Sequence, residues 1–179
     1  MSGPNQLQHH EDQGFINLYY FDQSGFSLIP TVPYAWQKKG EHLLLPAAKG
    51  KRVNVLGFLT RKNQFSSFTY EGSITAEVVI ARMNNFAKSI TKPTYVVIDN
   101  APIHTSKLFQ ECILKRKKKG LIIKNVPTYS PELNLIEILW RKIKYYWLPF
   151  AAYTDFENLK NELENILVNI GSKYRITFA

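Results

Sequence analysis

The sequence predicts an α/β domain with a mixed five-stranded sheet and helices on both faces. Three observations predict it. Apolar, β-branched and aromatic runs of strand length recur five times. The first three sit close together and the last two alternate with stretches of helical periodicity. The resulting order, β-β-β-α-β-α-β-α plus a C-terminal helix, joins a meander to parallel crossovers, which requires a mixed sheet.

Each element has its own signal. Residues 1–14 are polar and aperiodic, lack the apolar core of a signal peptide, and read as a disordered tail ahead of a domain over 15–179. Phe15–Phe21 is a dense apolar run ending at Asp22, with Ser24-Gly25 expected to break it. Residues 26–50 hold three prolines and two glycines and read as a long connection with a short extended piece at Tyr34–Lys38. There Tyr34 and Trp36 either stack on a base or plug a small core. Val53–Thr60 and Gln64–Tyr70, separated by Arg61-Lys62-Asn63, form a hairpin. Ile74–Ile90 carries Val79, Met83, Phe86 and Ile90 at helical spacing, and Pro93 ends that unit. Thr94–Ile98 is a short strand ending at Asp99. A helix over Ser106–Lys119 follows, with Gly120 as its stop, then a strand at Leu121–Val126. Ser130-Pro131 supplies a cap and first position for a helix whose stripe is Leu133, Ile136, Trp140, Ile143 and Trp147. Trp140 and Trp147 read as core. Thr154 and Glu157 make a capping-box pattern for the last helix.

Composition narrows the function. The 179 residues carry 23 Lys+Arg against 14 Asp+Glu, a net charge of +9, with 13% aromatic residues. That balance favours a polyanionic partner, with nucleic acid the default. No apolar run approaches the 18 residues of a membrane span. One cysteine, Cys112, excludes an internal disulfide. No phosphate-binding Gly-x4-Gly-Lys loop and no zinc spacing occurs.

The chemistry lies in three carboxylates. Asp22 and Asp99 close apolar strands, where a buried charge is costly without a partner. Glu137 borders the apolar face of the helix that packs on the sheet, about 80° from its centre at 100° per residue. Three carboxylates converging on one rim repel one another. A pair of divalent cations, Mg²⁺ or Mn²⁺, relieves that repulsion and suits hard oxygen ligands. Two such ions activate a hydroxyl and stabilise the leaving oxygen in phosphodiester chemistry.

The residues around these carboxylates carry a resemblance. Phe21-Asp22-Gln23-Ser24-Gly25-Phe26, Val97-Ile98-Asp99-Asn100-Ala101-Pro102-Ile103-His104 and Tyr129-Ser130-Pro131-Glu132-Leu133-Asn134-Leu135-Ile136-Glu137-Ile138-Leu139-Trp140 resemble the three motifs of DDE transposases, closest to the IS630/Tc1/mariner superfamily. The likeness spans roughly residues 15–147. It implies a ribonuclease H-like mixed five-stranded sheet flanked by helices, with Asp22, Asp99 and Glu137 as catalytic and metal-binding residues. It also implies metal-dependent cleavage of DNA at terminal inverted repeats and strand transfer into target DNA, as in a bacterial insertion sequence. A cytoplasmic, nucleoid-associated setting follows from the same likeness. Three departures stand out. Gln23 replaces the family's frequent Glu. Thirty-seven residues separate Asp99 from Glu137, slightly more than usual. The helix-turn-helix region that reads transposon ends is not in this chain. The expectation is a catalytic domain alone, a product working with a separate helix-turn-helix subunit, or a decayed remnant. The competing functions are a non-transposing divalent-metal nuclease and a catalytically inactive DNA-binding module.

Around the triad, Asn100, His104 and Asn134 are candidates for orienting the carboxylates. For His104 a local helix-start hydrogen bond competes with that role. Glu132 reads as a favourable charge near a helix N-terminus. The run Lys115-Arg116-Lys117-Lys118-Lys119 and the set Arg141, Lys142, Lys144 are candidate DNA-phosphate contacts. The alternative for the run is complementation of the helix dipole. The stripe of the last helix, from Phe156 to Ile170, packs on the domain's own core or forms a homodimer contact.

Overall fold

The structure is a computed structural model; it describes residues 4–31, 39, 50–117, 119–127 and 133–178. Five strands form one sheet: β1 (Asn17–Ser27), β2 (Arg52–Leu59), β3 (Phe65–Glu71), β4 (Thr94–Ile98) and β5 (Leu121–Asn125), in the order β3-β2-β1-β4-β5. The β1-β2 and β2-β3 pairs are antiparallel; β1-β4 and β4-β5 are parallel. This is the mixed sheet that the element order predicts.

Alternation along β1 sorts its side chains between two apolar layers. Leu18, Tyr20 and Phe26 join the core with α5 (Ile136–Lys142) and α6 (Phe156–Val168). Phe21 points to the other face, where Val79 and Met83 of α2 (Ala76–Phe86) and Phe109 of α4 (Lys107–Lys117) cover the sheet. The five buried positions of α6, Phe156, Leu159, Leu163, Ile166 and Leu167, are spaced for one face and lie in the chain's own core.

Several local expectations change. Residues 4–12 are not a disordered tail: Pro4–Asp12 forms α1. Its Leu7 is buried, and its Glu11 accepts from Arg61 Nε at 2.8 Å. Asp12 pairs with the same guanidinium. A partner fifty residues away leaves no trace in the local pattern. β1 does not stop at Asp22 either. It runs through Ser24-Gly25 to Ser27 because β2 pairs with it along that whole length. Gly25 does not break the strand; the Arg52 side chain lies over it, filling the space a Cβ would need. The helix expected over 106–119 is present as α4; ahead of it stands a short helix the periodicity does not announce, α3 (Pro102–Thr105), with Ser106 extended between the two. The last helix is capped by Asp155, whose side chain accepts from Asn158 N at 2.8 Å, and not by Thr154. The piece at 34–38 and the Ser130-Pro131 cap lie outside the described residues. Among the described residues no helix is long and apolar enough to cross a membrane.

Candidate active site

The parallel β1-β4 pair builds the site. Its last registered partners are Tyr20 and Val97. Two residues further along each strand come Asp22 and Asp99, level with one another. β4 ends at Ile98, so Asp99 leaves the sheet, while Asp22 remains inside β1 opposite Gly57 of β2. The expectation of two strand-end aspartates holds for Asp99 and is corrected for Asp22. Asp22 is at a rim because its neighbour strand stops, not because its own does.

Gly57 brings the third carboxylate in. A Cβ there would stand 2.8 Å from Phe65, 2.9 Å from Trp140 and 3.0 Å from Ile136. With hydrogen alone in that place, α5 settles directly onto the β1-β2 pair. Ile136, Leu139 and Trp140 are buried against the sheet, and Glu137, in the first turn, is half-buried beside them. The described helix begins at Ile136 and continues past Lys142 as a π-helical turn, Ile143–Trp147.

Electrostatics tie the three carboxylates together. Burial first, and then the charges of Asp99 and Glu137, push the Asp22 pKa up to about 7 against the opposing pull of a Gln23 backbone hydrogen bond and of His104. Trp140 Nε1 donates to Asp22 Oδ2 at 3.1 Å. Asp99 is shifted the other way. A hydrogen bond with His104 holds its pKa below the usual range, and the Ala101 backbone N–H adds to this. His104 Nδ1 stands 2.6 Å from Asp99 Oδ1. Since an ionised carboxylate only accepts, Nδ1 carries the proton. The imidazole is 1% exposed, held between the rings of Phe21 and Phe109. Of its two sequence readings, the structure shows contact with Asp99.

The other candidates separate. Asn134 is fully buried and donates to the carbonyl of Phe21 at 3.1 Å, fastening the entry of α5 to the residue before Asp22. Asn100 donates to the Val126 carbonyl at 2.9 Å and accepts from Asn125, so it braces the ends of β4 and β5. Lys144 is half-buried beside the site, its Nζ 5.2 Å from the centre of the Phe26 ring. Burial lowers its pKa, Arg52 lowers it further, and Asp22 opposes them. Arg141 and Lys142 are exposed on the same helix.

Lys115, Arg116, Lys117 and Lys119 are not brought to the carboxylates. Lys115, Arg116 and Lys117 close α4 and Lys119 follows in the turn before β5, beside the Thr94 end of β4, where Thr94 N–H bonds the Gly120 carbonyl at 2.8 Å. The length of β4, roughly 15 Å at 3.3 Å per residue, separates that end from Asp99. Arg116 is engaged with Asn84 of α2 at 2.7 Å. Lys118 and Glu132 lie outside the described residues.

Sequence reasoning assigned Trp140 to the core alone and gave Gly57 no part. Trp140 is core and also the hydrogen-bond donor to Asp22. The available signal was the need of a buried indole N–H for a partner, three residues after Glu137.

Three carboxylates are hard oxygen donors of the type Mg²⁺ and Mn²⁺ take. Burial first, and then the charges of Asp99 and Glu137, raise the pKa of Asp22, and a bound cation would offset both. Among the described residues, no three His, Cys, Asp or Glu side chains are drawn together closely enough to hold an ion. The set therefore fits a divalent cation by charge and donor chemistry, with closure around it still required.

Comparisons with known proteins agree with this architecture. The mariner Mos1 paired-end complex solved with Mn superposes with a TM-score of 0.62 at 14% identity, covering 92% of this chain and 52% of that one. The Mos1 strand transfer complex gives 0.59 at 13% identity, covering 92% and 51%. The catalytic core domain of BIV integrase gives 0.53 at 16% identity, covering 89% and 86%. The chain thus has the ribonuclease H-like fold of integrase and transposase catalytic cores, and spans about half the length of the Mos1 chains. No curated protein matches it. The profile of the DDE superfamily endonucleases matches residues 17–160. With most of its length matched, including all three carboxylates, the chain belongs to the DDE superfamily endonucleases.

Proposed function

We propose that this chain is the catalytic domain of a Tc1/mariner-type transposase, cutting DNA at transposon ends and joining the freed 3′ ends to target DNA. The observation that carries this reading is the match of the DDE superfamily endonuclease profile over residues 17–160, a span that takes in Asp22, Asp99 and Glu137. Asp22, Asp99 and Glu137 would hold two divalent cations, Mg²⁺ or Mn²⁺. Such ions supply activation of a water or 3′-hydroxyl and charge stabilisation at the scissile phosphate.

The chain's own residues have complementary tasks. His104 orients Asp99 through Nδ1, and Trp140 fixes one oxygen of Asp22. Asn134 locks the approach of α5 to β1. Lys144, beside Asp22, places a cation where a DNA phosphate would enter, with Arg141 and Lys142 extending that track. The basic end of α4 would serve DNA outside the immediate site. Pairing of two transposon ends by self-association, end recognition by a separate helix-turn-helix subunit, and a nucleoid-associated place in the bacterial cytoplasm belong to the same reading.

The test is incubation of the full chain with terminal-repeat DNA and Mn²⁺ or Mg²⁺, beside Asp22→Asn, Asp99→Asn and Glu137→Gln. Cleavage with joined products in wild type alone supports the transposase. Cleavage without joining favours a nuclease. DNA binding that survives all three substitutions, with no cleavage in wild type, favours an inactive module.

A further inference from the structure

Beyond Glu137, α5 carries a second feature that the carboxylate chemistry does not use. Tyr145 is 49% exposed and Tyr146 70% exposed. Both lie in the π-helical turn, where Leu148 N bonds Ile143 O across five residues at 3.0 Å. Exposed tyrosines are unremarkable singly, but these two are adjacent and follow directly on three cations, Arg141, Lys142 and Lys144. Lys142 Nζ stands 4.8 Å from the centre of the Tyr146 ring. Arg141 is exposed, and Lys144 leans inward beside Asp22.

The π turn sets their direction. Four-residue steps along an α-helix drift by about 40° each. The wider i to i+5 turn reduces that drift, so Glu137, Arg141 and Tyr145 keep to one side of the helix. Tyr146 then sits over Lys142 on the adjoining side. A strand leaving the carboxylate rim along this helix meets an arginine one turn on and tyrosine rings one turn further. A groove combining cations for the backbone with aromatic faces for bases is the recurring arrangement of single-strand binding, because every base has a π face.

We propose that Tyr145 and Tyr146 form a stacking platform for unpaired bases of the DNA strand held at the carboxylate rim, with Arg141 and Lys142 contacting its phosphates. The proposal rests on the DNA-cleaving reading of the site and assigns the rings to bases and the cations to backbone. It does not extend to a protein partner; the positive charge beside the rings complements a polyanion.

Affinity and salt dependence separate the two contributions. The full chain, kept in EDTA so that no cleavage occurs, is titrated against a labelled single-stranded oligonucleotide and against the same strand with abasic sites. Fluorescence anisotropy is read across a range of salt. The Tyr145→Ala/Tyr146→Ala variant should bind the intact strand about fivefold to a hundredfold more weakly. It should bind the abasic strand as wild type does and keep the wild-type slope of log affinity against log salt. Arg141→Ala should lower that slope by about 0.7, the value for one single-strand phosphate contact. Tyr146→Trp should retain binding, and circular dichroism should show all variants folded. Equal weakening on intact and abasic strands would overturn the proposal. So would a changed salt slope in the tyrosine variant, or unchanged affinity. Ring-dependent binding in a chain that never cleaves DNA would leave the platform standing and remove the enzyme reading. Cleavage without ring dependence would do the reverse.

Discussion

Asp22 and Asp99 stand level across the β1-β4 pair, each two residues past the last registered partners, Tyr20 and Val97. Yet their carboxylates are driven in opposite directions. Asp22 is pushed up to about 7, first by burial, and Asp99 is held down, first by His104. The pair thus places one readily ionised and one reluctant carboxylate at the same level of the sheet, with the difference set by their surroundings: burial around Asp22 and the His104 hydrogen bond at Asp99.

This gives stability an unusual pH dependence. Unfolded Asp22 loses its proton near pH 4, whereas folded Asp22 keeps it until about pH 7. Between those values the native state holds the extra proton, so the Asp22 contribution falls as pH rises and levels off above 7. The span is on the order of a few kcal/mol. Asp22→Asn should remove this slope between pH 4 and 7 and raise the unfolding midpoint at pH 7.5. Mn²⁺ should stabilise wild type more at pH 7.5 than at pH 5. A wild-type midpoint insensitive to pH across that window would defeat the assignment.

Trp140 Nε1 donates to Asp22 Oδ2, and a donor of this kind favours the ionised form, beside the backbone hydrogen bond from Gln23. Trp140→Phe keeps most of the ring's packing and deletes the N–H. The loss should cost roughly 1–3 kcal/mol, because a buried acceptor is left with one donor fewer. It should also shift the pH at which Mn²⁺ first stabilises the fold upward. A packing role alone would lower the midpoint without moving that pH.

Gly57→Ala tests the seating of α5. The added methyl would sit 2.8 Å from Phe65 and 2.9 Å from Trp140, closer than real contacts come, and 3.0 Å from Ile136, so the side chains must shift. Overpacking of this kind costs about 1–3 kcal/mol. Since the same helix carries Glu137, cleavage should fall by more than the loss of folded protein explains. Full activity per folded molecule would show that Gly57 does not position the carboxylate.

The strands and most helices were legible because their periodicities are local. Asp99 was legible as a strand-end residue for the same reason. What the chain conceals is long-range. The helix at Pro4–Asp12 is held by Leu7 and by the pairing of Glu11 with Arg61, fifty residues on. β1 runs past Gly25 because β2 demands it and Arg52 covers the glycine. The Trp140 indole meets Asp22 across 118 residues. The basic run after Glu111 reads the same whether or not it faces the site. Only the direction of α4 sends it to the far end of β4.

His104 gives the most discriminating substitution. Its Nδ1–H is the largest influence on Asp99, and the ring has no other exposure. His104→Asn keeps an N–H near the Nδ1 position, whereas His104→Leu keeps volume and removes the donor. Without the donor the folded pKa of Asp99 moves up. A lowered folded pKa contributes stability that is present above the unfolded value and is lost as pH falls through the folded one. His104→Leu forfeits that contribution, so acid unfolding should begin at higher pH than in wild type, with His104→Asn between the two. Removing a residue that orients a metal-binding group typically costs about 10–100-fold in metal affinity or activity. The leucine variant should therefore need more Mn²⁺ for half-maximal cleavage, and the asparagine variant should recover part of the difference. If both variants lose activity equally and acid unfolding is unchanged, His104 is a packing residue between Phe21 and Phe109, and Asp99 is oriented by its own loop.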